Sequence, residues 1–327
     1  MVLPFDINNI FSISDFSLDN YCNAVFKLQY EHNKVYRQWV DLICPDHSNI
    51  KIPQNIPALP ISFFKSLPVL TGSSQAQKVF ESSGTTGMIT SRHYVLELSI
   101  YEKSFINGFE IEYGAIEEWC VLALLPAYLE RENSSLVYMA NKMIQMSKFA
   151  QSGFYLYNYA ELAKTLVELE EKGQKTLLLG VTFALLDFSA QFPMQLNHTV
   201  VMETGGMKGR GRELTRLELH ETLTSRLGVE AIHAEYGMTE LLSQAYSKGN
   251  GRYQCPPWMK IYVRKEDDPF EIFTEGTGLI QIIDLANIYS CSFIATQDIG
   301  KVYPDGSFEV LGRMDHSDMR GCSLLVI

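Results

Sequence analysis

Apolar positions along the chain fall into three successive patterns. Between residues 17 and 43, aromatic, apolar and charged residues recur at helical spacing, which predicts one or two amphipathic helices. The stretch IPQNIPALPISFFKSLPVL follows, where recurring prolines forbid regular helix and predict an extended connector with Phe63-Phe64 in the core. A second pattern then begins. Gln75–Phe80, Trp119–Leu125 (WCVLALL), Thr176–Val181 (TLLLGV), His198–Met202 (HTVVM) and Val229–Ala234 are runs of strand length. Between them, Ser134–Phe149, Ala160–Leu169 and Glu213–Leu227 carry helical spacing, with Gly173 and Gly228 placed as stops. Strands alternating with helices predict an α/β domain with a largely parallel sheet. The tail changes again. Leu279–Asp284, Phe293–Thr296 and Phe308–Leu311 are short β runs, and Pro304-Asp305-Gly306 reads as a hairpin turn before the last. No internal repeat or disordered linker interrupts the chain.

Composition narrows the classes. With 327 residues, 46% hydrophobic, the chain can bury a large core as one domain or two tightly joined ones. Charged residues are 20% and no tract is of low complexity, which excludes global disorder. A net charge of -11 argues against a general nucleic-acid binder but leaves room for a local nucleotide site. No apolar run is long enough to cross a bilayer, and MVLPFDINNIFSIS lacks the build of a signal peptide. Cysteines at 22, 44, 120, 255, 291 and 322 form no CxxC pair and no zinc spacing, so free thiols in a reducing cytoplasm are expected.

Three motifs carry candidate chemistry. Ser82-Ser83-Gly84-Thr85-Thr86-Gly87 follows a predicted strand. Its glycines let the backbone N–H groups converge on an anion, and its hydroxyls add donors. It is not a Walker A loop, and a Ser/Gly-rich surface loop would read the same. In Glu235-Tyr236-Gly237-Met238-Thr239-Glu240, Tyr can stack on a purine, Gly permits close approach, Thr can donate to a phosphate and Glu can hold Mg²⁺. A strand-to-helix turn with an N-cap Thr is the plain alternative. Thr296-Gln297-Asp298-Ile299-Gly300 and Gly312-Arg313-Met314-Asp315 close the set. An Asp after a strand suits capture of two ribose hydroxyls, though turn acids are common.

Together and in this order, SSGTTG, YGMTE and TQDIG with GRMD resemble the adenylate-forming superfamily of acyl-CoA synthetases, luciferases and peptide-synthetase adenylation domains. The resemblance runs from about Val79 to Cys322. It implies the large domain of that fold over residues 1–311: parallel and mixed sheets flanked by helices, with a small β region near the C-terminus. Residues 312–327 would be a shortened hinge and cysteine tail, without the lid domain. It also implies ATP and Mg²⁺ as cofactors and assigns roles. Ser82, Ser83, Gly84, Thr85, Thr86 and Gly87 would hold the phosphates. Gly205, Gly206 and Tyr236 would flank adenine, within a nucleotide site that includes Glu235, Gly237 and Met238. Thr239 would contact the α-phosphate, Glu240 would bind Mg²⁺, Asp298 would hold the ribose beside Arg313, and Asp315 would sit at the hinge.

Two departures stand out. The first loop lacks the family's Pro-Lys ending, leaving Arg92-His93 as the nearest cationic candidates and His93 as a candidate catalytic residue. The catalytic lysine of the lid domain also has no counterpart. With Arg320-Gly321-Cys322, the stretch Leu125–Arg131 and Ser134-Ser135-Leu136, the chain is most similar to the acyl-protein synthetase subunit of the bacterial luminescence fatty acid reductase. That likeness implies activation of a carboxylic, fatty-type acid as acyl-adenylate, then transfer to Cys322, with a reductase or transferase as protein partner. Two alternatives remain open: a ligase releasing acyl- or aryl-CoA, and a nucleotide-binding protein without catalysis. Tyr128 and Phe183 are expected pocket lining. His198 and His233 are expected to be structural, and Lys208, Arg210 and Arg212 a solvated helix start.

Overall fold

A computed structural model describes residues 3–13, 15–50, 52–82, 89–125, 133–205, 214–268 and 270–314. The expected N-terminal helices are α1 (Asp15–His32) and α2 (Lys34–Ile43). Asn33 separates them by accepting from the Tyr36 N–H as an N-cap, a role its short polar side chain suits. The proline-rich connector is extended, as expected, but holds a two-residue strand β1 (Leu59–Pro60) and one helical turn α3 (Phe63–Ser66).

Next come the hairpin β2 (Lys78–Glu81) and β3 (Arg92–Val95), then α4 (Leu98–Tyr113), a helix not expected from the sequence. The α/β region continues through β4 (Cys120–Leu124), α5 (Ser135–Met146), β5 (Gly153–Phe154), α6 (Tyr159–Glu171), β6 (Thr176–Val181), α7 (Thr182–Gln191), β7 (Thr199–Thr204), α8 (Arg216–Leu227), β8 (His233–Tyr236) and β9 (Ala245–Ser247). Its strands form one sheet in the order β5-β4-β6-β7-β8-β9, parallel except for the β9 edge. β4 and β6 are buried along their whole length, which is why they read as continuous apolar runs. α8 starts at a capping box of Thr215 and Glu218 and stops at Gly228, whose φ of 62° favours glycine.

The remaining strands are β10 (Met259–Arg264), β11 (Ile272–Phe273), β12 (Gly276–Asp284), β13 (Phe293–Val302) and β14 (Phe308–Arg313). They pair antiparallel into a second sheet, and β1 joins β13 in parallel. The turn expected at 304–306 connects β13 to β14, with Gly306 at φ 80°. One continuous apolar core runs under both sheets and the N-terminal helices. No described helix is long and apolar enough to cross a membrane.

Candidate active site

A cavity of about 650 Å³ opens where the carboxyl ends of β7 and β8 face the hairpin β2–β3 and the β13–β14 edge of the second sheet. Clefts outside the carboxyl ends of parallel strands are the usual ligand sites of such sheets. Ser82, Gly205, Glu235, Tyr236, Gly237, Met238, Thr239, Glu240, Asp298 and Arg313 all line it. Residues from three motifs far apart in sequence thus line one cavity. Ser83, Gly84, Thr85, Thr86, Gly87, Gly206 and Cys322 lie outside the described residues, as do Tyr128, Lys208, Arg210, Arg212 and Asp315.

The hairpin fixes the ends of the serine- and glycine-rich loop. Ser82 N–H donates to the Ser91 carbonyl at 3.0 Å, and Ser91 N–H donates to Ser82 Oγ at 2.9 Å. Both residues line the cavity, so the loop begins and returns at its wall.

Where β8 faces β13, Tyr236 donates its hydroxyl to Asp298 Oδ2 at 3.0 Å. Arg313, the register partner of Asp298 across β13–β14, brings Nε to 3.9 Å from Oδ1. Burial raises the Asp298 carboxyl above its ordinary range, against the Tyr236 bond and the Arg313 charge. Gly205 sits at φ 68°, a conformation that favours glycine, and its carbonyl lies 2.6 Å from Thr182 Oγ1.

Glu203 and Glu235 line the same wall at the ends of β7 and β8. Glu203 lies 3.2 Å from His220 Nε2 and 3.1 Å from Thr182 Oγ1. No cation among the described residues offsets the charge of Glu235. Burial pushes its carboxyl up to about 7, only partly offset by the bond it accepts from Thr204. A Cβ on Gly237 would crowd Glu235 Oε1, so a larger residue there would displace that carboxyl, and φ does not demand glycine.

The Gly237–Gln244 segment has no regular structure, yet three buried side chains hold its backbone. His93 Nδ1–H donates to the Thr239 carbonyl at 2.8 Å, and Asn287 Nδ2 donates to the Glu240 carbonyl at 2.8 Å. Asp284 accepts from the N–H groups of Leu242 and Ser243 at 2.9 and 3.0 Å and from the Ser243 hydroxyl at 2.6 Å. Asp284 and Asn287 are residues the sequence reading missed, since a turn acid and amide after a strand carry no local signal of a distant partner.

His93 takes a different part from the expected cation. It is fully buried, and desolvation lowers its pKa to about 4, so its ring is neutral at pH 7. It lies beneath the Gly237–Gln244 segment rather than on the cavity wall, and Arg92 pairs with Glu81 at 3.4 Å. His233 accepts a bond from or donates one to Tyr113 Oη at 3.0 Å, and Phe183 is not a wall residue.

Glu240 is buried beside Ser91 on the cavity wall, its carboxyl raised by desolvation and held down by hydrogen bonds from the Ser91 hydroxyl and its own backbone N–H and by the charges of Arg313 and Lys65. A buried carboxylate facing a cavity that would hold phosphates fits Mg²⁺. That ion is usually bound by one or two carboxylates plus substrate oxygens. Among the described residues no group of three or more His, Cys, Asp or Glu could hold a metal alone.

Of the described cysteines, burial raises the thiols of Cys22 and Cys291 to about 12 and raises those of Cys120 and Cys255 as well. Such thiols are poor nucleophiles.

A family model described as acyl-protein synthetase, LuxE, matches residues 14–327. Among solved structures, ATP-bound MatB from Rhodopseudomonas palustris is similar with a TM-score of 0.54 at 15% identity, over 72% of this chain and 47% of that one. O-succinylbenzoate coenzyme A synthetase (MenE) from Bacillus subtilis, in complex with AMP, gives 0.51 at 16%, over 73% and 49%. Its complex with ATP and magnesium ion gives 0.50 at 16%, over 72% and 49%. These likenesses concern the fold, which is the adenylate-forming domain expected from the motifs. The chain spans about half the length of those solved proteins. No curated protein matches it in sequence.

Proposed function

The chain belongs to the acyl-protein synthetase family, and from that premise we propose that it activates a carboxylic acid with ATP and then carries the acyl group on Cys322. The observation that carries this reading is the cavity itself. Tyr236, Asp298 and Arg313, which would form a nucleotide end, and Ser82, Thr239 and Glu240, which would form a phosphate end, line one cavity.

A carboxylate is a poor electrophile because its leaving group would be oxide. Bonding one of its oxygens to the α-phosphorus of ATP converts that oxygen into part of a good leaving group, AMP. Pyrophosphate departs with the electron pair of the broken P–O bond. The chain must hold nucleotide and acid in line and offset the charge gathered between them. Asp298 would take the ribose hydroxyls and Tyr236 the adenine. The loop from Ser82 would take the phosphates and Thr239 the α-phosphate. Mg²⁺ held by Glu240 would supply charge neutralisation at the phosphates. Ile61, Ile89, Leu136, Met139 and Val310 give the cavity an apolar wall that suits a fatty-type acid.

In the second step the Cys322 thiolate attacks the acyl carbon, a C–S bond forms and AMP leaves. The raised pKa of four other thiols supports the choice of Cys322 over Cys291. A reducing cytoplasm would keep the thiol free, and a reductase or transferase would take the acyl group onward.

The test is intact-protein mass and labelled-acid transfer with ATP–Mg²⁺. Wild type is expected to gain a hydroxylamine-labile acyl group, while Cys322→Ser keeps ATP–pyrophosphate exchange and gains none. Label that persists in the variant overturns the choice of cysteine. Label that appears only on coenzyme A overturns the acyl-protein reading in favour of a ligase.

A further inference from the structure

Three cations line the cavity among the described residues: Lys65, Arg216 and Arg313. Two are committed. Arg313 pairs with Asp298 at the nucleotide end. Arg216 reaches the Gly251 carbonyl at 3.4 Å and lies 5.4 Å from the centre of the Tyr253 ring. Lys65 is exposed at the cavity rim and has no ion-pair partner among the described residues. An exposed lysine is ordinarily a solubilising residue and needs no role.

Its mooring argues otherwise. Lys65 sits on the single turn α3, where it is the one charged residue. The Ile61 N–H at the start of that turn donates to the Ala295 carbonyl of β13 at 2.9 Å, three residues before Asp298. The next buried side chain, Phe64, meets the His93 ring edge-on with centroids 5.7 Å apart. His93 in turn holds the Thr239 carbonyl. The turn bearing Lys65 is therefore fastened both to the strand of the ribose residue and to the histidine that sets the phosphate residue. Its neighbour Ser62 and Glu240 line the same cavity. The Lys65 charge reaches Glu240, lowering the carboxyl's otherwise raised pKa.

We propose that Lys65 is a catalytic residue of adenylation, its ammonium placed against the α-phosphate and the incoming carboxylate. Two anions must meet there, and a fixed cation between them lowers the electrostatic cost of the encounter and of the charge that builds on the phosphoryl oxygens. In the step itself the carboxylate oxygen bonds to α-phosphorus and pyrophosphate leaves with its electron pair. Lys65 stays protonated throughout and transfers no proton. The Arg313 charge also reaches Glu240, but its guanidinium is paired with Asp298, which leaves Lys65 as the cavity cation with no ion-pair partner among the described residues. The inference rests on the adenylation reading above.

The experiment is ATP–pyrophosphate exchange with dodecanoate, benzoate and succinate as probe acids, alongside the melting shift given by ATP–Mg²⁺. Lys65→Ala is expected to lose about 100-fold in kcat, the scale of removing one preorganised charged contact. It should keep the ATP-induced shift, because Tyr236 and Asp298 are untouched. Lys65→Arg should recover part of the rate, and added methylamine should raise the rate of Lys65→Ala in proportion to its concentration. Lys65→Ala at the wild-type rate overturns the proposal, and so does an equal loss in both variants with no rescue by amine. Wild type that exchanges with no probe, and shows no melting shift with ATP–Mg²⁺, overturns the adenylation reading instead.

Discussion

The Tyr236 hydroxyl donates to Asp298 Oδ2 at 3.0 Å, tying the end of a parallel strand to an antiparallel strand 62 residues further on. The pair joins the two sheets across the cavity and fixes the ring and the carboxylate expected to meet adenine and ribose. Tyr236→Phe keeps the ring and removes the bond. A hydrogen bond to a charged group is worth about 1.5–3 kcal/mol, so ATP–Mg²⁺ affinity is expected to fall about tenfold or more. Titrating the melting temperature with ATP–Mg²⁺ reads this directly. An unchanged titration would mean that the pair does not face the nucleotide.

Glu235 makes a second expectation, this one about pH. Its folded carboxyl titrates near 7 because burial disfavours the charge, whereas the unfolded value is near 4.5. Between those values the folded chain binds more protons than the unfolded one, so stability falls as pH rises. Ionising the buried group costs on the order of 3 kcal/mol, complete above pH 7. Glu235→Gln keeps the shape and can still accept from Thr204, but never ionises. It is expected to be more stable than wild type at pH 8 and to approach it near pH 4.5. Urea denaturation across that range checks the crossing, and a difference independent of pH would contradict it.

Much of this site was legible in the chain because its chemistry is carried by short motifs next to strands. Ser82, Glu235, Tyr236, Thr239, Glu240, Asp298 and Arg313 were all singled out from sequence, and all line one cavity. The strands around them were legible for a related reason. TLLLGV is buried at every position, so its apolar run marks β6 to the residue. α4 was missed because its sequence, LSIYEKSFINGFEIEY, is apolar around much of its circumference and shows no clear polar face. The supports were missed because their partners are remote. His93 lies 146 residues from Thr239, Asn287 lies 47 from Glu240, and Asp284 lies about 40 from the N–H groups that it holds. Nothing near these residues in sequence distinguishes a support from an ordinary turn or a cation. His93 shows this best, since its position after the first loop suggested charge and burial removed it.

His93 carries the third expectation. The Thr239 carbonyl can only accept, so Nδ1 must bear the proton, and Nε2 is then a buried acceptor with no partner among the described residues. His93→Leu removes the donor to Thr239 and is expected to cost about 1–3 kcal/mol at pH 7.5. It should also slow pyrophosphate exchange, because Thr239 and the adjoining Glu240 lose a fixed point. The pH dependence separates this role from simple packing. Burial lowers the folded pKa of His93 to about 4, below the ordinary 6.5. Above pH 6.5 both states hold the ring neutral and the contribution is constant. Between 6.5 and 4 the unfolded chain binds a proton that the folded chain refuses, so wild type loses stability as pH falls. Leucine has no such loss. The gap between wild type and His93→Leu is therefore expected to be widest above pH 6.5 and to close toward pH 4. Guanidinium denaturation of both proteins from pH 4 to 8 measures it, and a gap that stays constant down to pH 4 would show that the ring is not the neutral, buried support described above.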